Sequence, residues 1–348
     1  HRDLHSFPTR RSSDLEFEII QRYFVDSGLG FARTGVVLGI GDDAALLQLP
    51  SNRLLAISMD TLLAGVHFPA AAEPALIAQR ALAVNLSDLA AMAATPLCFT
   101  LSLVLPESNA AWLQEFSEGL LGLAKKYACP LVGGDITHGE LSITIQVQGT
   151  VDPEKVLRRV GAEVGDRIYV SGFLGDGAIA LASLGIDSHL GTSFALNEPQ
   201  PSESCTAYFK QAYYQPEPRI ELARACASTM TSGIDISDGL YGDLKHIVTA
   251  SGKGARLRVN LFPYSDAAIA CMSAENRQQA ALYGGDDYEL CFTVPPKYCQ
   301  AMEQEALALN TRVTRVGEIT QGSEIICIDA SGSELPVSTK SYDHFGNH

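Results

Sequence analysis

The sequence predicts two mixed α/β domains, α/β in composition and α+β in order, and three observations predict it. Its 348 residues exceed what one ordinary core of about 150 residues holds. Short apolar runs of strand length alternate with longer stretches of good helix formers. A Pro- and Gly-containing interruption at 152–165, with the basic pair Arg158-Arg159, divides the pattern near its middle.

Residues 1–15, HRDLHSFPTRRSSDL, are rich in Arg, Ser and His, lack periodicity and do not begin with Met, so they read as a non-native leader. His1-Arg2-Asp3-Leu4 matches the protein-kinase catalytic loop only superficially, because that motif needs a following Asn and a whole preceding lobe. Glu16 to Phe24 reads as a short amphipathic helix. Gly39-Ile40-Gly41-Asp42-Asp43-Ala44-Ala45 precedes a buried strand, Leu54 to Ser58, that ends at Asp60. Residues 73–94 are apolar almost throughout and form one long buried helix carrying Asn85 and Asp88. Leu97 to Leu105 is a strand and Ala110 to Tyr127 an amphipathic helix. Leu131-Val132 is a short strand stopped by Gly133-Gly134-Asp135, and the alternation of Leu141 to Val151 marks a half-buried, hairpin-like strand.

The expected boundaries are 1–15 for the leader, 16–152 for the first domain and 153–348 for the second. The second half opens on a strand at Arg167 to Ser171, then Gly175-Asp176-Gly177 enters a helix. A polar stretch at 185–205 follows. Ile234 to Leu240 leads into a helix near Asp243 to Ala250. Strands are expected at Ala255 to Asn260, Tyr288 to Val294, Arg312 to Ile319 and Glu324 to Asp329, with helices around 266–282 and 297–308.

Composition narrows the function. The 40 acidic and 25 basic residues leave a net charge of −15, which repels nucleic acid and obliges any nucleotide site to recruit positive charge. No run of about 18 apolar residues exists to span a membrane. The eight cysteines are scattered singly, with no C-x-x-C pair, as in a reduced cytoplasmic protein.

Aspartates recur at the ends of apolar runs, usually beside glycine: Asp42-Asp43, Asp60, Asp88, Asp135, Asp235 and Asp238. Any one of them reads as a helix cap or turn residue. Together they point elsewhere, since carboxylates about 4 Å apart repel by roughly 4 kcal/mol at an effective dielectric near 20 unless protons or cations intervene. Hard divalent ions fit such oxygen donors, and the absence of Cys and His from these clusters argues against zinc. Gly39-x-Gly41-x-x-Ala44 is no dinucleotide fingerprint, because Asp42 and Asp43 would face the diphosphate. No G-x-x-x-x-G-K-[ST] is present either; Ser251-Gly252-Lys253-Gly254 lacks the leading Gly and the hydroxyl.

Seven ordered motifs carry a family resemblance: Gly39-Ile40-Gly41-Asp42-Asp43-Ala44, Ser58-Met59-Asp60, Ala83-Val84-Asn85-Leu86-Ser87-Asp88, Val132-Gly133-Gly134-Asp135, Ile234-Asp235-Ile236-Ser237-Asp238-Gly239, Gly284-Gly285-Asp286-Asp287-Tyr288 and Tyr342-Asp343-His344-Phe345. Together they resemble the thiamine-monophosphate kinase family, within the superfamily of aminoimidazole ribonucleotide synthetase and selenophosphate synthetase. The resemblance implies an N-terminal ATP/Mg-binding domain whose sheet pairs with its twin across a homodimer, and a C-terminal α/β domain. It implies several Mg²⁺ ions on Asp43, Ser58, Met59, Asp60, Asp88, Asp135, Asp235 and Asp238, with Asp135, Asp60 and Asp88 central to catalysis. ATP contacts fall on Gly134, Asp135, Arg159 and Ser237, and thiamine phosphate contacts on His67, Asp286 and Tyr342. Met59 stands where the family usually has Thr, and Asp286 where it commonly has Glu. The implied reaction is direct in-line transfer from ATP to thiamine phosphate, without a protein nucleophile. Two alternatives remain: a sibling synthetase that uses ATP on an amidine or selenide, and a non-catalytic nucleotide-binding regulator. No Cys precedes Cys98 to serve as a selenide-handling thiol.

Overall fold

The computed structural model describes residues 12–184, 196 and 201–336. The first half contains α1 (Ser12–Ile19), β1 (Val36–Leu38), β2 (Leu46–Leu47), β3 (Leu54–Leu63), α2 (Pro74–Ala91), β4 (Thr95–Leu105), α3 (Ala110–Lys126), β5 (Leu131–His138) and β6 (Ser142–Val151). After it come β7 (Arg167–Ser171), α4 (Asp176–Ser183), α5 (Glu203–Tyr214), α6 (Ile220–Cys226), β8 (Ser232–Ile236), α7 (Leu240–Ser251), β9 (Gly254–Arg258), α8 (Asp266–Cys271), α9 (Ala274–Tyr283), β10 (Glu289–Val294), α10 (Cys299–Ala308), β11 (Val313–Thr320), β12 (Ile325–Ile328) and β13 (Glu334–Leu335).

Two sheets organise the chain. The first runs β3-β6-β4-β5, antiparallel except for the β4–β5 pair; the second runs β13-β12-β9-β11-β7-β10-β8, with β9 and β12 parallel. Among the described residues, no helix is long and apolar enough to cross a membrane.

Helix α2 joins the two halves. Pro74 at its first turn fixes φ for entry, and its apolar residues surround the whole axis, so it must be covered on every side. Below it lie β3, β4 and β6; on other sides it meets α3, α5, α6, β8 and β10. One continuous core results, from Ile77, Leu82 and Leu86 of α2 to Tyr169, Ile220, Phe292 and Met302 of the second half. Helix α3 is capped by Asn109, whose side chain accepts the N–H groups of Ala111 and Trp112, and Lys125 and Lys126 complement its C-terminal dipole. It approaches α2 so closely that a Cβ on Gly119 would lie 2.6 Å from Ala75 Cα.

Several expectations need correction. The strand expected to end at Asp60 continues to Leu63, so Asp60 is inside β3 rather than at its end. Gly133-Gly134-Asp135 does not stop β5, which runs on to His138. Gly134 lets β5 lie flush against β4, where a Cβ would collide with the Leu101 carbonyl oxygen. β6 is no hairpin partner of β5; it inserts between β3 and β4. The helix expected over 266–282 is two helices, broken where Met272 turns extended and Ser273 caps α9 through the Asn276 N–H. α1 already begins at Ser12, inside the expected leader of 1–15, and continues as a π-helical turn over Ile20–Val25. Helices α5 and α6 are additional to the expected elements.

Gly119→Val should therefore destabilise the protein by about 1–3 kcal/mol through overpacking at the α2–α3 crossing. Urea unfolding measures it. An unchanged midpoint would mean that the two helices can separate at no cost.

Candidate active site

Strand alternation and one helix face build the first group of carboxylates. Ser58, Asp60 and Leu62 of β3 point toward α2, while Ile57, Met59 and Leu63 emerge on the opposite side of the sheet, Met59 with 59% of its surface exposed. The Met59 side chain therefore leaves Ser58 and Asp60, and only its backbone shares their neighbourhood. The Asp60 N–H donates to Asn85 Oδ1 at 3.0 Å, and Asn85 is itself held by the Ala81 carbonyl. Asp88, one turn beyond Asn85, accepts a 2.5 Å hydrogen bond from Ser58 Oγ. From the second half, Asp235 at the end of β8 accepts Ser87 Oγ at 2.9 Å.

These carboxylates crowd one another. Burial pushes Asp60 up to about 6, with Asp88 adding to the shift. Burial also raises Asp88, against the pull of Ser58 and Arg159. Asp235 rises to about 8, from burial first and then from Asp88. Arg159, from the 152–165 connection, is the cation acting on this group. It also acts on Asp243, a buried carboxylate that accepts the N–H groups of Ser237 and Asp238 at 3.0 Å each and is pushed up to about 7 by burial. Asp243 was not singled out from the sequence. Its signal was its place in the first turn of α7, from which a carboxylate reaches back to N–H groups ahead of the helix.

A second group lies elsewhere. Asp60, Ile145, Leu101 and Gly134 form one row across the sheet, and Asp135 sits in the next row with Thr61, Thr144 and Ser102, whose side chains take the other face. Asp135 opens instead into a cavity of about 1070 Å³, lined also by Asp42, Asp43, Gly133 and Gly134 and roofed by Glu16 to Asp26. Asp42 turns back to accept the Asp43 N–H at 2.8 Å. Six acidic side chains (Glu16, Glu18, Asp26, Asp42, Asp43, Asp135) against one basic, Arg22, make the lining cation-seeking. Among the described residues, no three His, Cys, Asp or Glu side chains close around a single metal position.

The third group gathers His67 and Asp286 around Arg80, which no sequence motif marks. His67 Nδ1 accepts the Leu63 N–H, and the His67 carbonyl accepts Tyr213 Oη at 2.7 Å. Arg80 of α2, 2% exposed, lies 4.0 Å over the Tyr213 ring, donates to the Tyr213 carbonyl at 2.7 Å and pairs with Asp286. Burial opposes the Arg80 charge; Asp286, with Tyr213 and Tyr288, outweighs it and raises the pKa. Asp287 accepts the N–H groups of Gly175 and Gly177, anchoring the 284–288 loop to the start of α4. Tyr342 lies outside the described residues.

The raised carboxylates set a pH dependence. Asp60, Asp235 and Asp243 hold protons in the folded chain at pH values where an unfolded carboxylate, near 4, has lost them. Their contribution to stability is complete below about pH 4 and is lost as pH rises through 6 to 8. In excess chelator, melting temperature should fall between pH 5.5 and 8.5, and Asp235→Asn should flatten the upper part of that slope. A wild-type protein with no slope in this window would contradict the crowding.

Residues 41–151 match the family model for AIR synthase related protein, N-terminal domain, and residues 163–329 match that for its C-terminal domain. The chain is 44% identical over 331 residues to the thiamine-monophosphate kinase of Escherichia coli (strain K12), covering 95% of this chain and 98% of the relative. It is similar to the crystal structure of thiamine-monophosphate kinase from Stenotrophomonas maltophilia K279a, at 37% identity and a TM-score of 0.80 over 89% of this chain and 95% of that one. AaThiL complexed with AMPPCP and TMP superposes at 25% identity and a TM-score of 0.71, over 97% and 100% of the two chains. With both halves matched in order and nearly the whole length aligned, the chain belongs to the thiamine-monophosphate kinase family of AIR synthase related proteins.

Proposed function

We propose that the chain phosphorylates thiamine phosphate with ATP, releasing thiamine diphosphate and ADP. The observation that carries this reading is the end-to-end likeness to thiamine-monophosphate kinases, one of them complexed with AMPPCP and TMP. The acceptor's phosphate oxygen attacks the γ-phosphorus in line, so the protein's work is to hold two anions in register and offset their repulsion. The first domain, 16–152, carries the ATP and metal site, and the second, 153–348, closes over it from the Arg159 side. Gly134, Asp135, Arg159 and Ser237 are the nucleotide contacts in this reading. His67, Asp286 and Tyr342 receive the thiamine moiety.

The donor set suits Mg²⁺. It is all oxygen, and it comes as pairs rather than closed shells, which fits an ion usually held by one or two carboxylates plus phosphate oxygens and water. Ser58, Asp60, Asp88, Asp235 and Asp238 would hold it on one side, and Asp43 and Asp135 on the other, with Met59 offering its backbone carbonyl. Bound there, Mg²⁺ would neutralise the charge that the carboxylates and the two phosphate groups otherwise share.

A second copy of the chain is the partner. β3 is an edge strand, and Leu55, Ile57, Met59 and Leu63 leave it 40–59% exposed. An edge so apolar calls for a cover, which a two-fold copy of the same sheet provides.

Thiamine diphosphate formed from ATP, Mg²⁺ and thiamine phosphate, followed by chromatography, tests the activity. Asp135→Asn should abolish most of it with little change in melting temperature, because the exposed Asp135 takes little part in packing; near-normal turnover would remove Asp135 from the site. ATP binding measured by calorimetry should be weak in chelator and tighter by several kcal/mol in millimolar Mg²⁺. Light scattering should report a dimer that Ile57→Asp converts to monomer.

A further inference from the structure

We propose that Arg80 is a positioning residue for acceptor recognition: it fixes Asp286 so that the free carboxylate oxygen accepts the exocyclic amine of the pyrimidine. The inference rests on the proposed thiamine-phosphate activity and adds to it the residue that sets acceptor specificity.

The guanidinium is buried within α2 and divides its donors between two segments. Nη1 donates to the Tyr213 carbonyl of α5, and Nη2 to Asp286 Oδ1 in the 284–288 loop. The Tyr213 ring beneath it sends its hydroxyl to the His67 carbonyl. One cation thus braces both His67 and Asp286, which come from loops more than two hundred residues apart in sequence.

Only Oδ1 of Asp286 is engaged by Arg80, and the Asp286 side chain remains 20% exposed. The loop holds Asp286 at φ 71° and Tyr288 at φ 49°, a left-handed backbone that needs outside support. Neutralised by its partner, Asp286 serves as an oriented hydrogen-bond acceptor rather than a free charge. The N–H donor on thiamine phosphate is its pyrimidine amine, and a site built to accept that group discriminates strongly against an analogue lacking it. A lysine at position 80 would keep the charge but lose the planar fork that serves Tyr213 and Asp286 together.

The test compares thiamine phosphate with its oxo analogue, in which a carbonyl replaces the amine. Arg80→Lys should raise KM for thiamine phosphate about tenfold, leave KM for ATP within about twofold, and cut the amine-over-oxo preference by a similar factor. Asp286→Asn keeps the side-chain size and an acceptor for Arg80 while turning an amide donor outward, so it should shift preference toward the oxo analogue. Calorimetric binding of the two ligands reads the same preference without turnover. Wild-type protein that binds the amine form more tightly but makes no diphosphate would therefore refute the proposed activity and leave this assignment standing. An amine-over-oxo preference untouched by both substitutions, or KM values for ATP and acceptor that rise together in Arg80→Lys, would overturn it and make Arg80 a packing residue.

Discussion

The architecture depends on a cation buried in an apolar helix. Arg80 of α2 is itself only 2% exposed, and its charge is tolerable there because Asp286 and two aromatic faces meet it. Removing one partner of such a pair costs about 3–5 kcal/mol, toward the lower figure where, as at Asp286, some solvent reaches it. The second half must therefore deliver the 284–288 loop to α2. Delivery is steric as well as electrostatic: a Cβ on Gly285 would strike the Ser237 carbonyl, and one on Gly177 the Asp286 backbone. The loop, the start of α4 and the turn after β8 consequently pack as one unit, and that unit brings Asp235, Ser237 and Asp238 to the carboxylates of α2 and β3.

What the sequence made legible follows from the strength of local signals. Residues 73–94 are so uniformly apolar that a long buried helix was the only economical reading, and Leu97 to Leu105 and Arg167 to Ser171 were equally plain. β5 was cut short because glycine is a poor strand former, and its reason for being there, the close approach of Leu101, belongs to another strand. Likewise the position of β6 between β3 and β4 is a matter of pairing, which alternation within one strand does not encode.

The same division applies to the site. Aspartates beside glycines announced themselves as a chemical group, yet their separation onto two faces of one sheet depends on register across three strands. Asp243 was hidden because an acid in the first turn of a helix reads as ordinary capping. Arg80 was hidden for the opposite reason. It is the lone cation of an apolar helix, with no acid three or four positions away, and that absence was the clue that its partner would come from far along the chain.

The all-round burial of α2 also has a consequence during synthesis. The helix and much of the first sheet are complete by residue 151, but part of the cover over α2 comes from α5, α6, β8 and β10, ending at residue 294. At ordinary elongation rates of about 5–20 residues per second, the nascent chain carries an apolar helix with an unpaired guanidinium for roughly 7–30 s before its cover is made. Through that interval the emerging polypeptide presents a sticky surface beside a ribosome, so a chaperone that shields apolar segments would act on this chain between those two points of its translation.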